Sequence, residues 1–246
     1  MKVSLITVSY NSEKTIEDTI QSVISQDYQD IEYIIIDGAS SDATKSIIDN
    51  YKTDISCFIS EPDAGIYDAM NKGINASNGD LIGILNSDDV YSNSSVVSDM
   101  VNALGSSDAV YADLVYVDFN NLDKVKRVWK SGRFKKGAFY FGWMPPHPTF
   151  FVKKECYLNF GLYALNLRSA ADYELMLRFI HKNNIKVSYL PEIIVKMRVG
   201  GVSNISLKNR ILANREDKKA WKINNIRPKA FTFFLKPLRK LSQFRI

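Results

Sequence analysis

The chain has 246 residues, 46% of them hydrophobic, enough to bury a sizeable core as one large domain or as a domain with an appendage. No apolar run approaches the roughly 18 residues that span a bilayer, and the stretch after Met1-Lys2 is too short for a signal h-region, so the protein is expected to remain in the cytoplasm. The net charge of +5 is unevenly spread: residues 208–246 hold 12 Lys+Arg against 2 acids and residues 1–207 hold 20 against 25, and a basic tail on a mildly acidic body points to an anionic partner surface.

Short apolar runs at 2–9, 31–37, 55–60 and 80–86 read as buried strands. Between them lie helical patterns. Ser12 can cap a helix bearing Ile16, Ile20, Val23 and Ile24, and Ser41 or Asp42 can cap one bearing Ile47 and Ile48. A third helix, about 65–76, places Ile66, Ala69, Met70, Gly73 and Ile74 on one face. This rhythm implies right-handed crossovers and a mainly parallel sheet, with ligands at its carboxyl edge: Tyr10-Asn11, Asp37-Gly38 and Asn86 to Asp89. A helix after Asn93 follows. Beyond Asp108 the rhythm changes to a hairpin, 109–119 and 125–129, where the sheet becomes mixed. An aromatic, Gly- and Pro-rich loop at 132–148 reads as substrate-facing. It leads to a strand at 149–153, a helix over 170–183, and strands at 186–190 and 193–198. Cys57 and Cys156 read as ordinary thiols, since no CxxC spacing accompanies them.

Two acidic stretches carry the chemistry. Leu85-Asn86-Ser87-Asp88-Asp89 ends an apolar strand, where carboxylates can hold a hard divalent cation against phosphate oxygens. Ser169 to Glu174 opens a helix, where Asp172 is either a base or an acid favoured by the helix dipole, and Glu174 suits the dipole role. With Thr7 to Asn11, Ile36 to Asp42, Glu61 to Gly73 and Asn86 to Asp89 in this order, residues 1–205 resemble the inverting glycosyltransferases of family 2, which have a GT-A fold.

The resemblance implies an α/β, Rossmann-like GT-A domain over 1–205 and a basic amphipathic helical extension over 206–246. It implies a nucleotide-diphosphate sugar donor, a UDP-sugar by preference, held by Thr7, Tyr10, Asn11, Asp37, Asp63, Lys72, Asn86, Ser87 and Asp88. Mn²⁺ or Mg²⁺ would sit on Asp88, Asn86 and Asp89, with His147 a further candidate for metal or diphosphate and packing its alternative. Asp172 would be the base. Tyr10 either lies beside the nucleotide base or packs on a neighbour, and Asp37 either accepts from the nucleotide or bonds its own turn. Asp42 reads as a helix cap and His181 as a solvated or dipole-facing residue. The chain departs from the family pattern twice, with Asn86 for the first acid of the Asp-x-Asp motif and Ala171 for the Glu before Asp172.

The implied product is a cell-surface polysaccharide or lipid-linked glycan. A nucleotidyltransferase is the second enzymatic reading, although Ser9 to Lys14 contains no Gly, and a weakly catalytic sugar-binding module is the third. Residues 227–246 hold six basic residues and no acid, interleaved with Phe and Leu. That pattern suits an anionic membrane rather than nucleic acid, and its alternative is a helix docked on the body.

Overall fold

The computed structural model describes residues 1–200 and 207–239. Its centre is a mixed sheet. The strands are β1 (Val3–Ser9), β2 (Ile31–Asp37), β3 (Cys57–Ser60), β4 (Leu81–Asn86), β5 (Asp89–Tyr91), β6 (Ala109–Val117), β7 (Val125–Trp129), β8 (Phe151–Lys153) and β9 (Val187–Arg198). They lie in the order β3-β2-β1-β4-β8-β6-β9-β5, with β7 on β6.

The first half is parallel, β1 pairing with both β2 and β4 and β2 with β3, as the strand and helix rhythm predicts. Both of its faces are covered, which is why β2 reads as an unbroken Ile-rich run. Val3, Leu5, Tyr33 and Ile35 join one apolar cluster, and Ile6, Val8, Ile34 and Ile36 join the other. Helix α3 (Ile66–Ala76) lies close on the second face because residue 73 is Gly: a Cβ there would stand 2.4 Å from Ile6. Ile66, expected on its buried face, is 45% exposed.

Helix α1 (Ile16–Ile24) begins later than a Ser12 cap implies. The Ser12 carbonyl accepts from the Thr15 and Ile16 amides while its hydroxyl goes elsewhere. At α2 (Thr44–Asp49), Asp42 does receive the Thr44 amide, at 3.0 Å. Helix α4 (Val96–Leu104) is the one expected after Asn93.

In the second half β8 runs antiparallel to β4 and β6, and the 109–129 hairpin forms as expected. The two strands expected at 186–198 are one, β9, because its pairing with β6 shifts register around Pro191 and the missing amide is not needed in the ladder. The 132–148 loop is partly core: short 3₁₀ turns at Ala138–Phe141 and His147–Thr149 bury Phe139 and Trp143. After α5 (Lys154–Phe160), the helix expected over 170–183 divides into α6 (Ala171–Met176) and a π-helical segment, Leu177–Lys182.

Helices α7 (Leu207–Ile223) and α8 (Thr232–Arg239) complete the fold. Trp221 is wholly buried in the same cluster as Tyr173 and Phe139, and its indole N–H donates to the Tyr173 hydroxyl at 2.9 Å. His181, expected to be solvated or dipole-facing, does lie in the last turn of its helical segment, but its ring packs against Phe139, Tyr140 and Trp221 at ring distances of 4.8–5.8 Å. The expected boundary at 205/206 lies outside the described residues, as do Leu241 and Phe244.

Candidate active site

The carboxyl ends of β1, β2 and β4 are stitched together by short polar side chains. Asn11, in a left-handed conformation at φ 48°, donates its amide to Ser40 Oγ, and its Oδ1 accepts from the Ser41 amide. Ser12 donates its amide to Thr44 Oγ1 and shares a 2.7 Å hydroxyl contact with Ser87. Asn11 and Ser87 thus position the loops.

Asp37 is wholly buried and accepts from the Ser9, Ser40 and Ser60 hydroxyls and the Ser40 amide. A carboxylate has about four lone-pair sites. All four are used within the protein, so Asp37 anchors this turn. Thr7 is likewise buried, its hydroxyl accepting from Tyr33 at 3.1 Å, and it faces the core rather than a ligand. Lys72 reaches the Pro62 carbonyl and Glu61, both at 2.8 Å, which raises its pKa and braces the 61–65 loop on α3.

Tyr10 and Asp63 both lie close to Gly38. The Tyr10 ring is 66% exposed, and a Cβ on Gly38 would stand 2.5 Å from the Asp63 carboxylate and 3.3 Å from the Tyr10 ring. The absence of a side chain at Gly38 therefore lets the Asp63 carboxylate lie against the end of β2, beside the exposed Tyr10 ring.

At the end of β4, Asn86 Oδ1 and both carboxylate oxygens of Asp89 are buried and make no well-formed hydrogen bond, although the Arg198 amide and the Asn86 side chain lie near enough to Asp89 to act on its carboxyl. Burial, then the neighbouring Asp88 charge, push the Asp89 carboxyl well above the usual range, Arg198 and Asn86 only partly offsetting this, and burial also raises Asp88. Closely grouped carboxylate and amide oxygens of this kind fit a hard divalent cation. No group of three His, Cys, Asp or Glu among the described residues could hold one alone. Mg²⁺-type sites need only one or two carboxylates, with phosphate and water completing the shell. Arg198, on β9, fixes the turn: it donates to the Asp88 carbonyl at 2.9 Å, to the Phe119 carbonyl at 3.0 Å and to Asp18 of α1.

Asp172 stands at the start of α6, half-buried, and its Oδ1 accepts from the Tyr67 hydroxyl at 3.2 Å. Burial, and then the Asp172 charge, hold the Tyr67 phenol well above its ordinary pKa, so it keeps its proton. Tyr67 stacks on Tyr163 at 5.6 Å, and Tyr163 is clamped through its backbone by the Asn71 side chain at 2.9 and 3.0 Å. The Tyr163 hydroxyl meets His147 Nε2 at 2.7 Å. Burial lowers the His147 pKa, against the pull of Asp172, and leaves a neutral imidazole at pH 7. His147 is thus bound into the Asp172 surroundings. Ala171 is wholly buried in the core, and Glu174 pairs with Arg178 instead of facing the cleft. Tyr67, Asn71, Tyr163 and Arg198 escaped the sequence reading. The one local sign was Tyr67 and Asn71, four apart on one helix face.

Comparison with known proteins identifies the family and the fold. The profile of glycosyl transferase family 2 matches residues 4–171. An uncharacterized glycosyltransferase of Mycobacterium tuberculosis is 35% identical over 178 residues, covering 72% of this chain and 68% of its own. Among solved structures, S. aureus TarS 1–349 with UDP-GlcNAc superposes with a TM-score of 0.68 at 17% identity, covering 91% of this chain and 65% of its own. The mannosyltransferase PcManGT from Pyrobaculum calidifontis, with GDP-Man and Mn²⁺, gives 0.70 at 19% identity, covering 98% and 69%. These structures share its fold, the mixed α/β GT-A sheet flanked by helices. With a family profile that spans more than half of the chain, from β1 through the Asn86–Asp89 turn to the residue before Asp172, the chain belongs to glycosyl transferase family 2.

Proposed function

We propose that the protein is an inverting, metal-assisted transferase that moves a sugar from a nucleoside-diphosphate donor, UDP-linked by preference, to a hydroxyl of a glycan or lipid-linked acceptor in cell-surface polysaccharide synthesis. The observation that carries the reading is the pairing of a carboxylate held by a protonated phenol, Asp172 with Tyr67, with a second oxygen cluster at Asn86 to Asp89, Asp172 and Asp89 both lying near enough to Tyr116 for their charges to raise its pKa. The donor's base lies on the exposed Tyr10 ring, near Asp63. Its diphosphate faces Asn86, Asp88 and Asp89, where a bound Mn²⁺ or Mg²⁺ supplies charge neutralisation for the departing diphosphate.

Asp172 Oδ1 stays with Tyr67 while Oδ2 takes the acceptor proton. As the acceptor oxygen bonds to the anomeric carbon from one side, the bond to the diphosphate breaks on the other, inverting the centre. The protein works peripherally at the inner face of a membrane, and among the described residues no helix is long and apolar enough to cross one.

The test is Asp172→Asn. Donor binding, followed with UDP-GlcNAc and GDP-mannose in Mn²⁺, should be nearly unchanged while sugar transfer or slow donor hydrolysis drops by at least about 10²-fold, the low end for losing a positioned base. Full activity in this variant would remove Asp172 from the mechanism.

A further inference from the structure

The 132–148 loop and the end of the described chain fold into one surface. Phe141 is 49% exposed and its ring lies 5.5 Å from that of Phe231, itself 39% exposed. One helical turn further, on α8, Phe234 is 69% exposed, whereas its neighbour Phe233 turns inward to the Trp221 ring at 6.5 Å. The Lys229 ammonium stands 5.3, 5.6 and 5.8 Å from the Tyr140, Phe141 and Phe231 rings. Gly142, at φ 74°, lets α8 close on the loop, since a Cβ there would be 2.5 Å from the Lys236 backbone.

Charge on this surface has one sign. Residues 207–239 contain two acids, Glu216 and Asp217, and both are buried. Glu216 accepts the Arg168 and Ser169 amides, and Asp217 pairs with Lys236 at 2.7 Å. Lys222, Arg227 and Lys229 remain exposed, as do Arg133, Lys135 and Lys136 on the stretch leading to the Phe141 turn. Exposed rings among cations, with the acids turned inward, complement an anionic bilayer interface, into which aromatics insert shallowly. Ile223, 38% exposed on the adjoining helix, gains nothing from stacking on nucleic-acid bases but gains from lipid.

We infer that this composite face, Phe141 with Phe231 and Phe234 among Lys and Arg, seats the protein on an anionic membrane. The face is built from loop and tail together, so it cannot be cut off as an appendage. It is coupled to the site: Lys236 lies 3.6 Å over the ring of Tyr173, the residue after Asp172, and Phe139 lies 6.0 Å from the same ring. That the membrane carries the acceptor rests on the transferase reading above.

The full chain is sedimented with phosphatidylcholine vesicles with or without phosphatidylglycerol. Wild type should pellet only with the anionic vesicles, and Phe141→Ser/Phe231→Ser/Phe234→Ser should partition at least about tenfold less. Phe234→Ser alone, at the most exposed ring, should give a smaller loss of the same sign and keeps the test open if the triple variant misfolds. Mn²⁺-dependent binding of UDP-GlcNAc or GDP-mannose, unchanged in the variants, reports on the donor site separately, so absence of that binding in wild type would count against the transferase reading and leave the surface standing. Equal pelleting of wild type and variants, no pelleting, or capture of a single-stranded oligonucleotide in preference to anionic vesicles would overturn the membrane face.

Discussion

Asn86 keeps a carbonyl oxygen where the family pattern has an acid, and that oxygen is buried with no hydrogen-bond partner. A neutral ligand at this position leaves Asp88 as the half-buried carboxylate of the turn, in front of the wholly buried Asp89. Most of any charge neutralisation between cation and protein then depends on Asp88. In Asp88→Ala, Mn²⁺ should no longer tighten UDP or GDP binding by calorimetry, while metal-free binding through the Tyr10 ring changes little. Retention of the full Mn²⁺ effect would place the metal elsewhere. The other departure, Ala171, has a packing reason: its side chain is wholly inside the core, where an unpaired carboxylate would be costly.

At the scale of elements, what was legible in the sequence was whatever repeated locally. The Ile-rich run of β2, closed by Asp37-Gly38, reads correctly from end to end. Strand β5 does not, because three residues carry no period and Asp89 pairs with Met197, over a hundred positions away. The motif order pointed to Asp172 through family resemblance, but the stack of Tyr67 on Tyr163 and the Asn71 clamp join α3 to the loop after α5, and nothing nearby in sequence announces such a meeting. Helix α6 shows the same limit. Glu174, which looks like a helix-start acid, is 1% exposed and binds Arg178 at 2.9 and 3.0 Å and Asn224 at 2.9 Å. Arg178 in turn caps the carbonyls of Phe160, Gly161 and Leu162. Glu174→Ala would leave Arg178, its side chain 13% exposed, without its counter-charge and detach the end of α7. It should lower stability by about 3–5 kcal/mol in urea unfolding, and a loss below about 1 kcal/mol would show that the pair is dispensable.

Across the whole molecule, the two edges of the sheet are set to different tasks. The carboxyl edge holds buried oxygens that make no well-formed hydrogen bond, a condition suited to ligands. The opposite edge is closed by Glu32, which receives Lys2 at 2.9 Å, Ser4 at 2.6 Å, and the Asn78 amide and side chain at 2.6 and 3.0 Å, joining β1, β2 and the turn before β4. Burial alone would raise its pKa, but the Asn78, Ser4 and Lys2 hydrogen bonds together bring it from 4.5 down to about 2. A carboxylate depressed in the folded state contributes stability that is fully present above its unfolded pKa and disappears as pH falls through the folded value. For Glu32 that window runs from 4.5 down to about 2, and the contribution at neutral pH is at most about 3 kcal/mol. Glu32→Gln should therefore be less stable than wild type at pH 7, with the gap narrowing between pH 4.5 and 2 and closing below that range. Urea titrations of both proteins at several pH values would measure the gap. A pH-independent gap would mean that packing, and not the charge of Glu32, closes this edge. Metal-dependent nucleotide binding at pH 7 should be the same in both proteins, because the clamp and the candidate site lie at opposite ends of the same strands.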